Sequence, residues 1–164
     1  MGHRYLIDAN VFITAHRQIY PFDLAPGFWD QLIDKVADKI IIIEKIQEEI
    51  LRGDDALSEW YIEVCSNFTI LKIPEQIVLE AYSEIIDSIN DNTQYKQSAK
   101  DEFASIADSW LCAYAMAYNE TVVTLESYQA GVKSKVKIPN ICKAFNVRCI
   151  DLLQFMRENG FKFN

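Results

Sequence analysis

Tyr5-Leu6-Ile7-Asp8-Ala9-Asn10-Val11 is the stretch that decides the fold. Three apolar residues run into an acid, and a helix-forming segment follows at once. The pattern predicts a buried strand over 5–7, a turn at Asp8 and a helix over 11–18. Working outward, 39–43 is a β-branched run and predicts a second strand. A helix over 44–52 follows, with Gly53 placed to end it. Further strands are expected over 68–73, 121–125 and 147–150.

Helices fill the intervals. Residues 27–37 carry Phe28, Trp29, Leu32, Ile33 and Val36 at helical spacing. Residues 56–65 present Leu57, Trp60, Tyr61 and Val64 on one face. Residues 75–90 are built on Ile77, Val78, Ala81, Ile85 and Ile89. One apolar helix is expected over 103–118, a short one over 139–145 with Pro139 at its start, and a last one over 151–159 capped by Asp151. Loops are expected over 20–26, 91–100 and 127–137, the last of them mobile. Strands separated by helices predict an α/β domain with a mostly parallel five-stranded sheet between two helical layers. Ligands of such sheets bind at the carboxyl ends of the strands, where the strand order reverses.

Bulk properties narrow the function. The 164 residues suit a single domain over 1–164, and 50% hydrophobic with 24% charged residues is an ordinary globular profile. The net charge of −8 excludes a protein that coats nucleic acid by charge alone. Cysteines at 65, 112, 142 and 149 form no C-x-x-C pair, and His3 and His16 lie far from them, so no zinc site is expected. The chain opens without a signal-peptide core, and its longest apolar run, 110–118, is too short to span a bilayer. A soluble, reduced, cytoplasmic protein is expected, with no membrane partner.

Four acids stand out on this scaffold. Asp8 follows the first strand; it is either a helix cap or a strand-end ligand. Glu126 follows the 121–125 strand and is either a solvated loop acid or a neighbour of Asp8. Asp108 has Ala104, Ala107, Leu111, Cys112 and Ala115 as helical neighbours. A carboxylate on that face needs a cationic partner or a metal. Glu49 borders the buried side of the 44–52 helix, whereas Glu48 faces solvent. Oxygen-only donors suit Mg²⁺ or Mn²⁺, and such a group facing a phosphodiester can hold a metal that activates water.

These segments resemble the PIN-domain family, in particular a bacterial subgroup similar to VapC-like toxin ribonucleases. Leu6-Ile7-Asp8-Ala9-Asn10-Val11 looks like its opening motif. Ile46-Gln47-Glu48-Glu49-Ile50-Leu51 resembles the second, with Glu49 in the acidic place. Ala107-Asp108-Ser109-Trp110-Leu111 resembles the third, and Val122-Val123-Thr124-Leu125-Glu126 the fourth, where PIN domains commonly carry Asp. Lys137-Ile138-Pro139-Asn140-Ile141-Cys142 and Tyr20-Pro21-Phe22-Asp23 extend the likeness to nearly the full length.

The resemblance implies a sheet in the order 3-2-1-4-5 and a Mg²⁺ or Mn²⁺ site built from Asp8, Glu49, Asp108 and Glu126. It implies hydrolysis of RNA phosphodiester bonds, a homodimer, and an antitoxin partner where the protein is the toxin of a toxin–antitoxin pair. Asn10 and Thr124 match polar positions that support the acids. Between Ser127 and Ile150 the chain has five basic residues and no acid, and Lys133, Lys135 and Lys137 lie at the proposed site. These three are candidates for contact with the RNA backbone.

Other chemistries lack their residues. No G-x-S-x-G, P-loop or G-x-G-x-x-G occurs. Haloacid-dehalogenase-like phosphatases need a second Asp where Asn10 stands. Receiver domains need more acids beside the first strand and a Lys after the fifth, where Asp151 stands. Two alternatives remain: a degenerate PIN-like module that binds protein, and an RNA-maturation nuclease that is not a toxin.

Overall fold

The computed structural model describes residues 3–164. Five strands, β1 (Tyr5–Ile7), β2 (Ile40–Ile43), β3 (Thr69–Leu71), β4 (Thr121–Val123) and β5 (Cys149–Ile150), form one sheet in the order β3-β2-β1-β4-β5. Every pairing is parallel, and Leu6 is flanked by Ile41 on one side and Val122 on the other. This is the order that the PIN resemblance implies. Successive strand residues point to opposite faces, yet all of Ile40–Ile43 and Tyr5–Ile7 are buried. Helices therefore cover both faces, which makes three layers.

The helices are α1 (Ala9–Thr14), α2 (Pro26–Gln31), α3 (Glu44–Arg52), α4 (Ala56–Val64), α5 (Gln76–Asp91), α6 (Gln97–Ser105), α7 (Ala107–Tyr118), α8 (Ile138–Ala144) and α9 (Leu152–Glu158). The first two widen into π-type turns, over Ala15–Ile19 and Leu32–Val36. Buried residues from strands and helices form one connected core. Asp151 caps α9 as its sequence predicts, with Oδ1 accepting from the Gln154 amide at 2.8 Å. All four cysteines are free thiols. No helix among the described residues is long and apolar enough to cross a membrane.

Four expectations are corrected. The apolar stretch 103–118 is two helices, broken at Ile106, whose backbone is extended (φ −114°, ψ 173°). Part of the expected loop 91–100 is helical, because α6 begins at Gln97. Ile77, expected in the core, is 48% exposed; Val78, Ala81, Ile85 and Ile89 carry that helix's buried face. Gly53 stays right-handed after α3, and the left-handed residue is Asp54 (φ 46°).

The 127–137 segment, expected to be mobile, is fastened. Val132 and Val136 are buried, the Lys133 carbonyl accepts from the Lys96 amide at 2.9 Å, and the Val132 carbonyl accepts from Gln94 Nε2 at 2.6 Å.

Candidate metal centre

β1 is the central strand, and the chain reaches β2 and β4 from it on opposite sides. The crevice between β1 and β4 is therefore the switch point of the sheet. Asp8 sits there, 2% exposed. Its amide donates to the Val123 carbonyl at 3.0 Å, which extends the β1–β4 ladder by one rung. Its Oδ2 accepts from the Thr124 hydroxyl at 3.1 Å. The carboxylate closes no full capping hydrogen bond on α1, although the Asn10 amide at the start of that helix lies near enough to favour its charged form. Burial pushes its pKa up to about 6; the Thr124 hydroxyl opposes that shift, and the charges of Glu126 and Glu49 add to it.

Asp108 reaches the same crevice because the chain breaks at Ile106. The break makes it a first-turn residue of α7, where the helix dipole favours a carboxylate. It is half-buried and makes no salt bridge among the described residues. Burial first, then the charges of Asp8 and Glu126, push its pKa up to about 7, with Lys135 opposing and Glu49 adding weakly. Glu49 is half-buried on α3, and burial raises its pKa against the pull of Arg52. Glu48 is exposed. Asp108 thus lies within electrostatic reach of Asp8, Glu126 and Glu49, and Asp8 within reach of Glu126 and Glu49.

Glu126 differs from the rest because both its oxygens are engaged. Oε1 accepts from Lys135 Nζ at 2.6 Å, and Oε2 accepts from the Ile138 amide, the first of α8, at 2.8 Å. Its own amide donates to Thr124 Oγ1 at 3.2 Å. Thr124 therefore bridges two acids: it donates to Asp8 and accepts from Glu126. Lys135 bends back to the acids, and its pKa is raised by the Glu126 hydrogen bond, with burial opposing. Lys133 is exposed and Lys137 half-buried, and neither side chain joins the acids in a salt bridge. Asn10 is exposed, and its side chain bonds to none of the four acids. Sequence spacing gave no sign of the Lys135 and Ile138 contacts, which bring together residues 9 and 12 positions from Glu126.

Among the described residues, no three His, Cys, Asp or Glu stand close enough to enclose a cation. What the geometry offers is a pair, Asp8 and Asp108, with Glu49 beside it and Glu126 behind it holding a lysine. Magnesium is commonly held by one or two carboxylates, with water and phosphate oxygens completing the shell. An oxygen-only pair in which Asp108 has no cationic partner of its own fits that habit.

The family model described as a domain of unknown function, DUF4411, matches residues 5–163. The chain belongs to that family. Two solved structures share the fold of this DUF4411 chain. One is VapBC2 from Rickettsia felis bound to a DNA fragment from their promoter, with a TM-score of 0.53 and 15% identity over 90% of this chain and 97% of that one. The other is PAE2754 from Pyrobaculum aerophilum, with a TM-score of 0.54 and 14% identity over 98% of this chain and 91% of that one. No curated protein matches the sequence. The PIN-like resemblance read from the motifs is borne out at the level of the fold.

Proposed function

We propose that the protein is a Mg²⁺- or Mn²⁺-dependent endoribonuclease, acting as the toxin of a bacterial toxin–antitoxin pair. The observation that carries the reading is the Asp8–Asp108 pair. Two carboxyls are held at the switch point of a PIN-like sheet, and burial and mutual repulsion disfavour their charged forms. Charge forced together in this way is ordinarily a site for a cation. A cognate antitoxin and a homodimer are part of the proposal. They rest on the likeness to VapBC2, a named pair, and on the motif resemblance.

Asp8 and Asp108 would hold the cation, with Glu49 reaching it directly or through water. When bound, the cation supplies positive charge to the phosphodiester and acidifies a water molecule. The chain's own residues do the rest. Thr124 fixes the Asp8 rotamer and favours its ionised form. The α7 N-terminus orients Asp108. Glu126 places the Lys135 ammonium where it can meet a phosphate oxygen.

A second reading, a PIN-like module that binds protein without cleaving RNA, is favoured by one feature. The fourth acid is fully engaged by Lys135 and the Ile138 amide. One experiment separates the two. Wild type and Asp8→Asn are incubated with a panel of RNAs and Mg²⁺ or Mn²⁺. The nuclease reading expects cleavage by wild type and its loss in the variant. Cleavage that persists in the variant refutes the assigned site, and no cleavage by wild type leaves the binding module.

A further inference from the structure

The chain leaves the end of β4, passes through the 127–137 segment and returns with Lys135, whose Nζ lies 2.6 Å from Glu126 Oε1. The lysine side chain is 47% exposed and that of Glu126 14%. An exposed ion pair alone adds little, because solvent screens it and the lysine loses rotamer freedom. This one is held from both sides. Val132 and Val136 are buried before and after Lys135, and the carbonyls of Val132 and Lys133 are tied to Gln94 and Lys96. The carboxylate is fixed as well, since Oε2 accepts from the Ile138 amide and the Glu126 amide donates to Thr124 Oγ1.

Each of the four acids then has its own countercharge. Glu126 has the Lys135 ammonium. Glu49 has Arg52 on the same helix, whose charge opposes the burial that raises the Glu49 pKa. Asp8 and Asp108 make no salt bridge among the described residues, and together they match the charge of one divalent ion. A second divalent ion at Glu126 would meet the ammonium at close range and be repelled. The ammonium also reaches past its own partner. Its charge is felt at Asp108, and it is kept charged by the Glu126 hydrogen bond first and then, against burial, by the charges of Glu126, Asp108 and Glu102. Two-ion phosphodiester centres use the second cation to stabilise one of the two oxygens that exchange at phosphorus. An ammonium is a compact point charge with three donors, and it suits the same oxygens.

We infer that Lys135 is the resident second cation of the centre: its ammonium fills the place at Glu126, so the chain takes one divalent ion, on Asp8 and Asp108, and not two. The inference rests on the metal-dependent nuclease reading and adds the number of ions and the residue that limits it. The Glu126–Lys135 contact then belongs to a working centre and not to a degenerate one.

The test counts Mn²⁺ bound to the full chain without RNA, from the electron paramagnetic resonance signal of the free ion. It is run at pH 8, above the raised pKa values of both aspartates. Wild type is expected to bind one ion per chain, and the Asp8→Asn, Asp108→Asn combination none. Lys135→Met removes the ammonium from a half-exposed side chain and is expected to bind two. Lys135→Arg keeps a cation there and is expected to stay at one. Adding Glu126→Gln to Lys135→Met is expected to return the count to one, because the amide oxygen still accepts from Ile138 but carries no charge. Lys135→Gln takes the place of Lys135→Met should that variant fail to fold. Two ions on wild type, or a single ion on a folded Lys135→Met or Lys135→Gln, overturn the inference while the nuclease reading stands. A second ion that survives Glu126→Gln also overturns it, since that ion lies elsewhere. An ion that persists in the Asp8→Asn, Asp108→Asn combination, or a wild type that binds none, overturns both.

Discussion

Thr124 is a small residue with a large electrostatic consequence. Its hydroxyl is the one side-chain donor to the buried Asp8 among the described residues. Thr124→Val keeps the shape and deletes the donor. The Asp8 pKa should then rise above about 6, because a bond that favours the charged form is lost. The acid limb of the cleavage profile should move to higher pH, with an activity loss near neutrality of about tenfold. A carboxyl titration followed by NMR checks the shift directly. Asp108 gives a second prediction. Both carboxyls are pushed above the ordinary value of 3.8, so at these two sites the folded chain holds more protons than the unfolded chain between that value and about 7. The contribution of this pair to stability therefore falls as pH rises through this window. Asp108→Asn should raise Tm at pH 8 by a few degrees, roughly 1–3 kcal/mol, and leave it nearly unchanged at pH 4. Thermal melts at the two pH values decide. At this scale the sequence was generous: Asp8 and Asp108 were legible from a strand-end position and an apolar helix face. The pairing of Glu126 with Lys135 was not, because no periodicity brings a loop lysine back to a strand-end acid.

Among the elements, α8 depends most on a single side chain. Its first amide, Ile138, is buried and donates to Glu126 Oε2. Glu126→Ala leaves that amide and the Lys135 ammonium without an acceptor, at a cost of about 1–3 kcal/mol. Hydrogen exchange should show Ile138 and the 127–137 segment losing protection, while β1 and β2 keep theirs. Equal loss across the sheet would contradict this local role. The α6–α7 junction is the element that sequence could not show. No Gly or Pro marks it, and 103–118 reads as one continuous apolar helix. The extended backbone of Ile106 separates α6 from α7 and leaves Asp108 in the first turn of α7. The strands were legible for the opposite reason. Short β-branched runs such as Ile40–Ile43 are buried on both faces and have no competing helical pattern. Ile77 was misplaced because 75–90 offers two adjacent apolar stripes, and packing against α7 selects the one containing Val78.

For the molecule as a whole, charge is the governing quantity. A chain of net charge −8 with buried acids at one sheet edge is repelled by a polyanion, and under the proposed function a cation at that edge would offset the repulsion. Mg²⁺ or Mn²⁺ should raise the Tm of wild type at pH 8 in proportion to the logarithm of concentration once the site begins to fill. The combined Asp8→Asn and Asp108→Asn variant should show no such rise. A metal-dependent rise that survives in the variant would place the cation elsewhere. The fold class and strand order were legible here because the elements alternate along the chain. The strand order also imposes a schedule on synthesis. β1 leaves the ribosome first yet lies at the centre of the sheet, and one of its two neighbours, β4, is made only after seven helices. Asp8 must wait for Thr124 before it is held, and Thr124 in turn receives β5 as its neighbour through the Ile150 carbonyl. A partly made chain carries its first acid without the second, so the centre assembles late in translation, and a truncated product has no site at all.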